Sequence, residues 1–195
     1  MKKLVFVVFA VVIFFSSLSA QEDEKKHFVY GGIGTLSAPE AVSKFIDIWL
    51  TTLSAGYTSS DTKSKIPALT LGYQFYESSR FSFGASVTYE SLTKDVFSGS
   101  RKAGSIDADF LSPMVELRYA YVNNENFGMF MDLGVGACFF LNDVKYDNES
   151  ENLNKTILAA QFNPVGLRFG NKFLIHLGLG FGMKGLLTAS VGYKF

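Results

Sequence analysis

The sequence predicts an all-β protein, an eight-stranded antiparallel up-and-down transmembrane β-barrel, with a short amphipathic helix in its first extracellular loop. Three observations carry this prediction. Apolar and aromatic residues alternate with small or polar ones through eight segments, tight turns alternate with longer polar connections, and the chain opens on a secretory address.

The address occupies residues 1–20. Met1-Lys2-Lys3 precedes an unbroken apolar run of 12 residues, Leu4 to Phe15, then Ser16-Ser17-Leu18-Ser19-Ala20 and the acidic Gln21-Glu22-Asp23-Glu24. A helix of that length rises only about 18 Å, short of a bilayer core of about 30 Å, so it reads as a signal peptide cleaved after Ala20. The barrel domain is then residues 21–195, and no later apolar run is long enough for a membrane helix.

Composition narrows the function classes. The whole chain has 195 residues, with 18 basic and 18 acidic side chains and a net charge of zero. That is one domain's worth of chain, with no electrostatic footprint for nucleic acid. One cysteine, Cys138, permits neither an internal disulfide nor a multi-thiolate zinc site.

The strands follow in order. His27 to Leu36 is the first. Leu69, Leu71, Tyr73 and Phe75 oppose Thr70, Gly72 and Gln74 in the second. Phe81, Phe83, Ala85, Val87 and Tyr89 oppose Ser82, Gly84, Ser86, Thr88 and Glu90 in the third. Val115, Leu117, Tyr119 and Tyr121 alternate with Glu116, Arg118 and Ala120 in the fourth. The fifth sets Phe127, Met129, Met131, Leu133, Val135, Ala137 and Phe139 against Gly128, Asp132, Gly134 and Gly136. The sixth begins near Thr156 and ends at Val165 to Phe169. The seventh sets Phe173, Ile175, Leu177, Leu179 and Phe181 against His176, Gly178 and Gly180, and the eighth runs from Leu187 to Phe195. Tight joints at 77–80, 123–126 and 170–171 lie at one end. Longer polar connections at 37–65, 97–104 and 142–155, with a modest one at 182–186, lie at the other.

Alternation alone does not say which face is inside. The minority face is rich in Gly, Ser and Thr with a few charges, which suits a narrow lumen better than an ordinary water-facing surface. Aromatic residues crowd the tight-turn end: Phe28 and Tyr30, Phe75 and Phe81, Tyr121 and Phe127, Phe169 and Phe173, Tyr193 and Phe195. Such a ring predicts an interfacial girdle, with the apolar face turned to lipid.

The ending Gly192-Tyr193-Lys194-Phe195, an aromatic terminus on an alternating strand, resembles the assembly signal of bacterial outer-membrane proteins. The mature chain resembles the small eight-stranded barrels of the OmpA transmembrane-domain and OmpX type, especially Bacteroidota-type barrels. That resemblance implies outer-membrane localisation, contact with outer-membrane lipid and lipopolysaccharide, and delivery to the barrel-assembly machinery through the last strand. It also implies a monomer whose loops meet an extracellular partner.

The inward face is expected to carry Glu90, Glu116, Arg118, Asp132, Arg168, His176 and Lys194, paired among themselves as a polar plug, with Arg118 opposite Asp132. Ser37-Ala38-Pro39-Glu40 reads as a helix start, and Val42, Phe45, Ile46, Trp49, Leu50 and Leu53 follow helical spacing, with Ser43, Lys44, Asp47, Thr51 and Thr52 on the polar side. That helix predicts either an apolar surface for a partner, lipid or a lid, or packing on neighbouring loops or burial in the outer leaflet; an extended continuation of the sheet is a third reading. His176 and His27 fall on different strands, and no serine near His176 in sequence completes a hydrolase-type triad. Cys138 is expected as a buried filler, and Pro113 and Pro164 at bulges or beyond the membrane band. The glycosylation-like patterns at Asn148 and Asn154 are taken as chance matches. No catalytic, cofactor or metal site is expected. The function expected is a structural or adhesion-like surface barrel, with a narrow porin as the alternative and a lipid-modifying enzyme a lower one.

Overall fold

The computed structural model describes residues 26–53, 58–98, 101–146 and 149–195; the expected signal peptide and Asn148 lie outside them. Eight strands follow one another: β1 (His27–Thr35), β2 (Thr58–Tyr76), β3 (Phe81–Ser98), β4 (Arg101–Asn123), β5 (Phe127–Tyr146), β6 (Glu149–Phe169), β7 (Phe173–Gly182) and β8 (Leu187–Lys194). One helix, α1 (Ala38–Leu53), separates β1 from β2. Each strand pairs antiparallel with the next and β8 returns to β1, so the sheet closes into a barrel. At the seam Phe28 pairs with Lys194 and Thr35 with Leu187, and His27 and Phe195 exchange backbone hydrogen bonds of 2.9 and 2.8 Å.

The strands are unequal. β1, β7 and β8 have 9, 10 and 8 residues, whereas β2 to β6 have 18 to 23. Pairing between β1 and β2 stops at Gly34–Ala68, and between β6 and β7 at Gln161–Gly182. The β2 to β6 ladder continues to Thr58–Ser98, Ser98–Arg101 and Tyr146–Glu149. A low closed cylinder therefore carries a five-stranded wall along one side. This corrects the polar connections expected at 97–104 and 142–155, which are mostly strand, as is the end of 37–65. A strand with water on both sides has no apolar face to encode, so its period-two signal disappears while its hydrogen bonds persist.

On the cylinder the predicted faces hold. Leu71, Val87, Val115, Leu133, Ile175 and Val191 point outward and are exposed, whereas Thr70, Ser86, Glu116, Asp132, His176 and Gln74 are buried. At the tight-turn end, outward rings meet along a nearly continuous chain. Contacts of 5.0–5.7 Å between ring centres join Phe173 to Tyr193, Phe195 to His27, His27 to Phe75, Phe75 to Phe83 and Phe81 to Tyr119. Phe127 and Phe169 pair separately at 5.6 Å.

Phe28 and Tyr30 do not belong to this ring. Both are buried inside the barrel, stacked at 5.5 Å, while His27, Val29 and Ile33 take the outward positions. The run Phe28-Val29-Tyr30 is apolar on both faces, so its phase is set by what it meets. Gly72 lies beside Tyr30, and a methyl group there would come within 2.3 Å of the ring. Gly166 makes the same room for Phe130, another buried ring, at 2.2 Å.

Pro164 sits where the β6–β7 register shifts between Phe162 and Val165, so the bulge expected there is present. Pro113 is different: it remains in straight register with Val87, and the pairing of β4 with β5 passes from Leu111–Phe139 to Met114–Gly136. Its missing N–H interrupts the ladder without shifting it.

Gly72→Ala is expected to destabilise the barrel by about 1–3 kcal/mol through overpacking against Tyr30. A urea titration read by the mobility of unboiled protein on a gel measures it, and an unchanged midpoint would remove Tyr30 from the lumen.

Candidate functional site

The lumen brings charged side chains together in buried positions, and it is filled in layers. Nearest the tight turns, the Arg168 guanidinium donates to Asn123 Oδ1 at 3.1 Å and to the carbonyls of Asn124 and Phe127. Lys194 lies 4.3 Å from the centre of the Tyr76 ring. Arg168, expected to pair with a lumenal acid, instead binds the backbone of the turn from β4 to β5, and an aromatic face is among the contacts of Lys194.

In the next layer Arg118 and Asp132, directly opposite on β4 and β5, form a two-pronged pair: Nε to Oδ1 at 2.6 Å and Nη2 to Oδ2 at 3.1 Å. The guanidinium lies 3.9 Å from the centre of the Phe130 ring, and Nη1 donates to His176 Nδ1 at 3.0 Å. Arginine has no acceptor, so Nδ1 carries no proton in this contact and the imidazole hydrogen sits on Nε2. Nε2 makes no hydrogen bond among the described residues.

Above it, Glu116 collects Lys184, Ser86 and Tyr30, the last donating at 2.7 Å, with Gln74 at 3.4 Å. Lys184 comes from the connection between β7 and β8, expected as a modest outer loop. That segment folds inward. Lys184 N–H donates to Gln161 Oε1 at 2.8 Å, Gln161 Nε2 donates to the Gly185 carbonyl at 3.2 Å, and Met183, Lys184 and Gly185 are all buried. Gly182 and Gly185 have φ of 134° and 112°, a left-handed backbone that permits the reversal. Nothing in the periodicity marks Lys184; the only hints are the paired glycines and the buried amide of Gln161.

Around the charged layers the open space is small, although the tight-turn end opens into a wider vestibule of about 590 Å³ beside Tyr76 and Lys194. A cavity of about 30 Å³ lies among Tyr30, Arg118, Asp132, His176, Lys184 and Ser190, and one of about 20 Å³ lies on the tight-turn side of Arg118 and Phe130, which line both. Each is room for roughly one water. The Arg118–Phe130 stack is the partition between them.

Ser190 corrects one expectation. It pairs directly with His176 across β7 and β8, so a serine does lie beside the histidine, hidden from sequence reading because β8 is a separate strand. The geometry is nonetheless not that of a nucleophile and base. His176 Nδ1 is occupied by Arg118, Nε2 has no hydrogen-bond partner among the described residues, and the adjoining cavity is about 30 Å³. His27, the other histidine, faces outward, 2.7 Å from Tyr73 Oη.

At the mouth, Ser37 caps α1: its Oγ accepts the Glu40 N–H at 3.2 Å, while a Glu40 carboxylate oxygen accepts Leu36 N–H at 3.0 Å. Ser37 also donates to Glu90, with both carboxylate oxygens at 2.6 Å, and Asp47 accepts from Thr62 and pairs with Lys94 at 2.7 Å. The helix is thus fixed to the barrel through Ser37 at its cap and Asp47, both buried, while Glu40 holds Leu36 and Lys44 locally; Val42, Phe45 and Ile46 are exposed. Asp47, placed on the polar outer side by sequence, faces the barrel because the rim it meets is polar. Below the helix an apolar cluster of Leu92, Phe110, Met114, Cys138, Ala159 and Met183 closes the lumen, so the plug is polar in its middle and apolar at its top.

No protein-family model matches the chain, and no curated protein matches it. Among solved structures, the chain is similar to the crystal structure of Ail, the attachment invasion locus protein of Yersinia pestis, at 17% identity and a TM-score of 0.44, covering 88% of this chain and 100% of that one. It is also similar to the complex of Ail with the heparin analogue sucrose octasulfate, at 17% identity and a TM-score of 0.46, covering 87% and 99%.

Removing one member of the Arg118–Asp132 pair leaves the other charge buried, at a cost of about 3–5 kcal/mol. Arg118→Ala combined with Asp132→Ala is therefore expected to cost less than the two singles together, and strict additivity in the urea midpoints would dissolve the pair. Lys184→Met, which strands Glu116, is expected to destabilise the barrel more than Lys172→Met in an exposed turn, measured in the same way.

Proposed function

We propose that the protein is a bacterial outer-membrane barrel, freed of its signal peptide, whose role is to present a surface to the outside rather than to conduct solutes or catalyse a reaction. The observation that carries this reading is the inversion of the cylinder: Val115, Val191 and Ile175 are 62%, 59% and 52% exposed, while their neighbours Glu116 and His176 are 5% and 3% exposed. A barrel in water would place those sets the other way round. The aromatic ring at the tight-turn end fits the inner interface of such a membrane.

The packed middle of the lumen supports a non-conducting role: among the described residues a water-sized space lies on either side of the Arg118–Phe130 stack, which separates them. The wall of β2 to β6 supports a surface role. Among the described residues no strand pairs with β2 above Ala68 or with β6 above Ala160, leaving two edges, the first with α1 against it at Thr62. Unpaired strand edges recruit extended chains, which fits an extracellular partner for this face. Lipid and lipopolysaccharide around the cylinder, the assembly machinery at the last strand and a monomeric state complete the reading; neither nucleic acid nor a cofactor has a part in it.

The test compares cells carrying the wild-type protein with cells carrying a variant whose wall is trimmed to the height of β1, β7 and β8. Attachment to protein- and polysaccharide-coated surfaces is expected to fall with the wall, and neither purified form is expected to pass more than trace current in a planar bilayer. Steady ion-sized conductance from the wild type, with attachment unchanged by trimming, would make it a pore instead.

A further inference from the structure

The mouth of the barrel holds a recess that the surface role does not use. It has a volume of about 320 Å³, lies between α1 and the inner side of the wall, and is lined mainly by Val42, Ile46, Leu92, Phe140, Ile157 and Met183. That is within the range of ligand pockets, about 300–1,000 Å³, and twice the size of cavities of about 150 Å³ that hold small hydrocarbons. Its floor is the buried apolar cluster around Phe110 and Cys138, so it does not communicate with the charged lumen. Val42, Ile46 and Ile157 remain 58%, 45% and 48% exposed around it.

Its position names its occupant. β7 joins β6 only from Gln161–Gly182 downward, and Met183 N–H adds one more bond to the Ala160 carbonyl at 3.0 Å, so, among the described residues, 155–159 of β6 pair with no strand on this side. Along that edge Ile157 pairs with inward-facing Cys138 and so lines the recess. Leu158, the next residue, points the opposite way and is 78% exposed, on the outer apolar band that also carries Leu187 at 56%. One strand thickness separates the recess from the band. The short β8 and β1 keep the cylinder low there, and the segment 183–186 and α1 are what face the edge. Above Leu158 the outward position on β6 is the polar Thr156, while Phe139 and Leu141 stay exposed on β5; Lys155, paired with Phe140 on the recess side of the strand, is exposed at the top of this edge, where it can meet an anionic head group.

We propose that the recess takes one acyl chain of an outer-leaflet lipid, bent over the free edge of β6 above Met183, with the head group held near Lys155. This rests on the membrane reading of the cylinder. The bound chain would cover Val42 and Ile46, left exposed when Ser37 and Asp47 tie α1 to the barrel.

The test places the full mature protein in vesicles of phosphatidylglycerol carrying a diazirine at the end of one acyl chain, with cross-linked peptides mapped by mass spectrometry. Label is expected on Met183 and Phe140 as well as on the outward Leu179 and Phe181. Ala108→Phe, which fills the recess, is expected to lose the label at Met183 and Phe140 and keep it at Leu179. Val42→Phe, on the exposed side of α1, narrows the same space without touching the cylinder and serves if Ala108→Phe does not fold. Band residues labelled with the recess unlabelled in the wild type would overturn this proposal and leave the membrane reading standing; neither labelled would overturn the membrane reading itself. Recess label that persists undiminished in the filled variants, or that arises only from free diazirine-bearing decanoic acid added to unlabelled vesicles, would overturn the leaflet lipid as its source.

Discussion

A cylinder of eight strands is only wide enough inside for side chains, so any charge turned inward must find its partner among its neighbours. Much of the interior follows from that constraint. Arg118 takes Asp132, Glu116 takes Lys184, and Arg168 takes turn carbonyls. The demand of Glu116 reaches beyond the strands. It is met by a lysine brought from the connection between β7 and β8, which folds inward on two glycines to deliver it. A segment that would otherwise be an outer loop becomes part of the plug.

The same narrowness explains the glycines and the misplaced aromatics. Tyr30 and Phe130 are large rings within the lumen, admitted because Gly72 and Gly166 stand beside them without side chains. Tyr30 then donates to Glu116, and Phe130 stacks on Arg118, so the rings are polar partners as much as filler. The partition that Phe130 forms with Arg118 is what turns a hollow cylinder into a closed one. At the mouth the chemistry changes from ion pairs to the apolar cluster beneath α1, and the charged layers are kept apart from the recess above.

The cylinder was legible in the sequence wherever one face was greasy and the other not. Phe81 to Glu90, Val115 to Tyr121 and Phe173 to Phe181 alternate because each sits between two different solvents. The Arg118–Asp132 pair was legible too, because a short turn fixes the register between β4 and β5. Legibility ended where the contrast ended. Residues 97–104 and 142–155 have polar residues on both faces, and read as connections though they are largely strand. Phe28 to Tyr30 is apolar on both faces, and its phase was read one residue out. Lys184, Ser190 beside His176, and the grip of Asp47 on the rim depend on contacts between strands distant in sequence, which no local period records.

The central claim is that hydrocarbon, not water, wets the outward Leu, Val and Phe side chains. Circular dichroism and unboiled gel mobility of the purified mature protein, with and without detergent micelles, test it most directly. The account predicts a β-sheet spectrum and a heat-modifiable band in micelles, and aggregation once detergent is removed. A monodisperse, sheet-rich monomer in detergent-free buffer would contradict it.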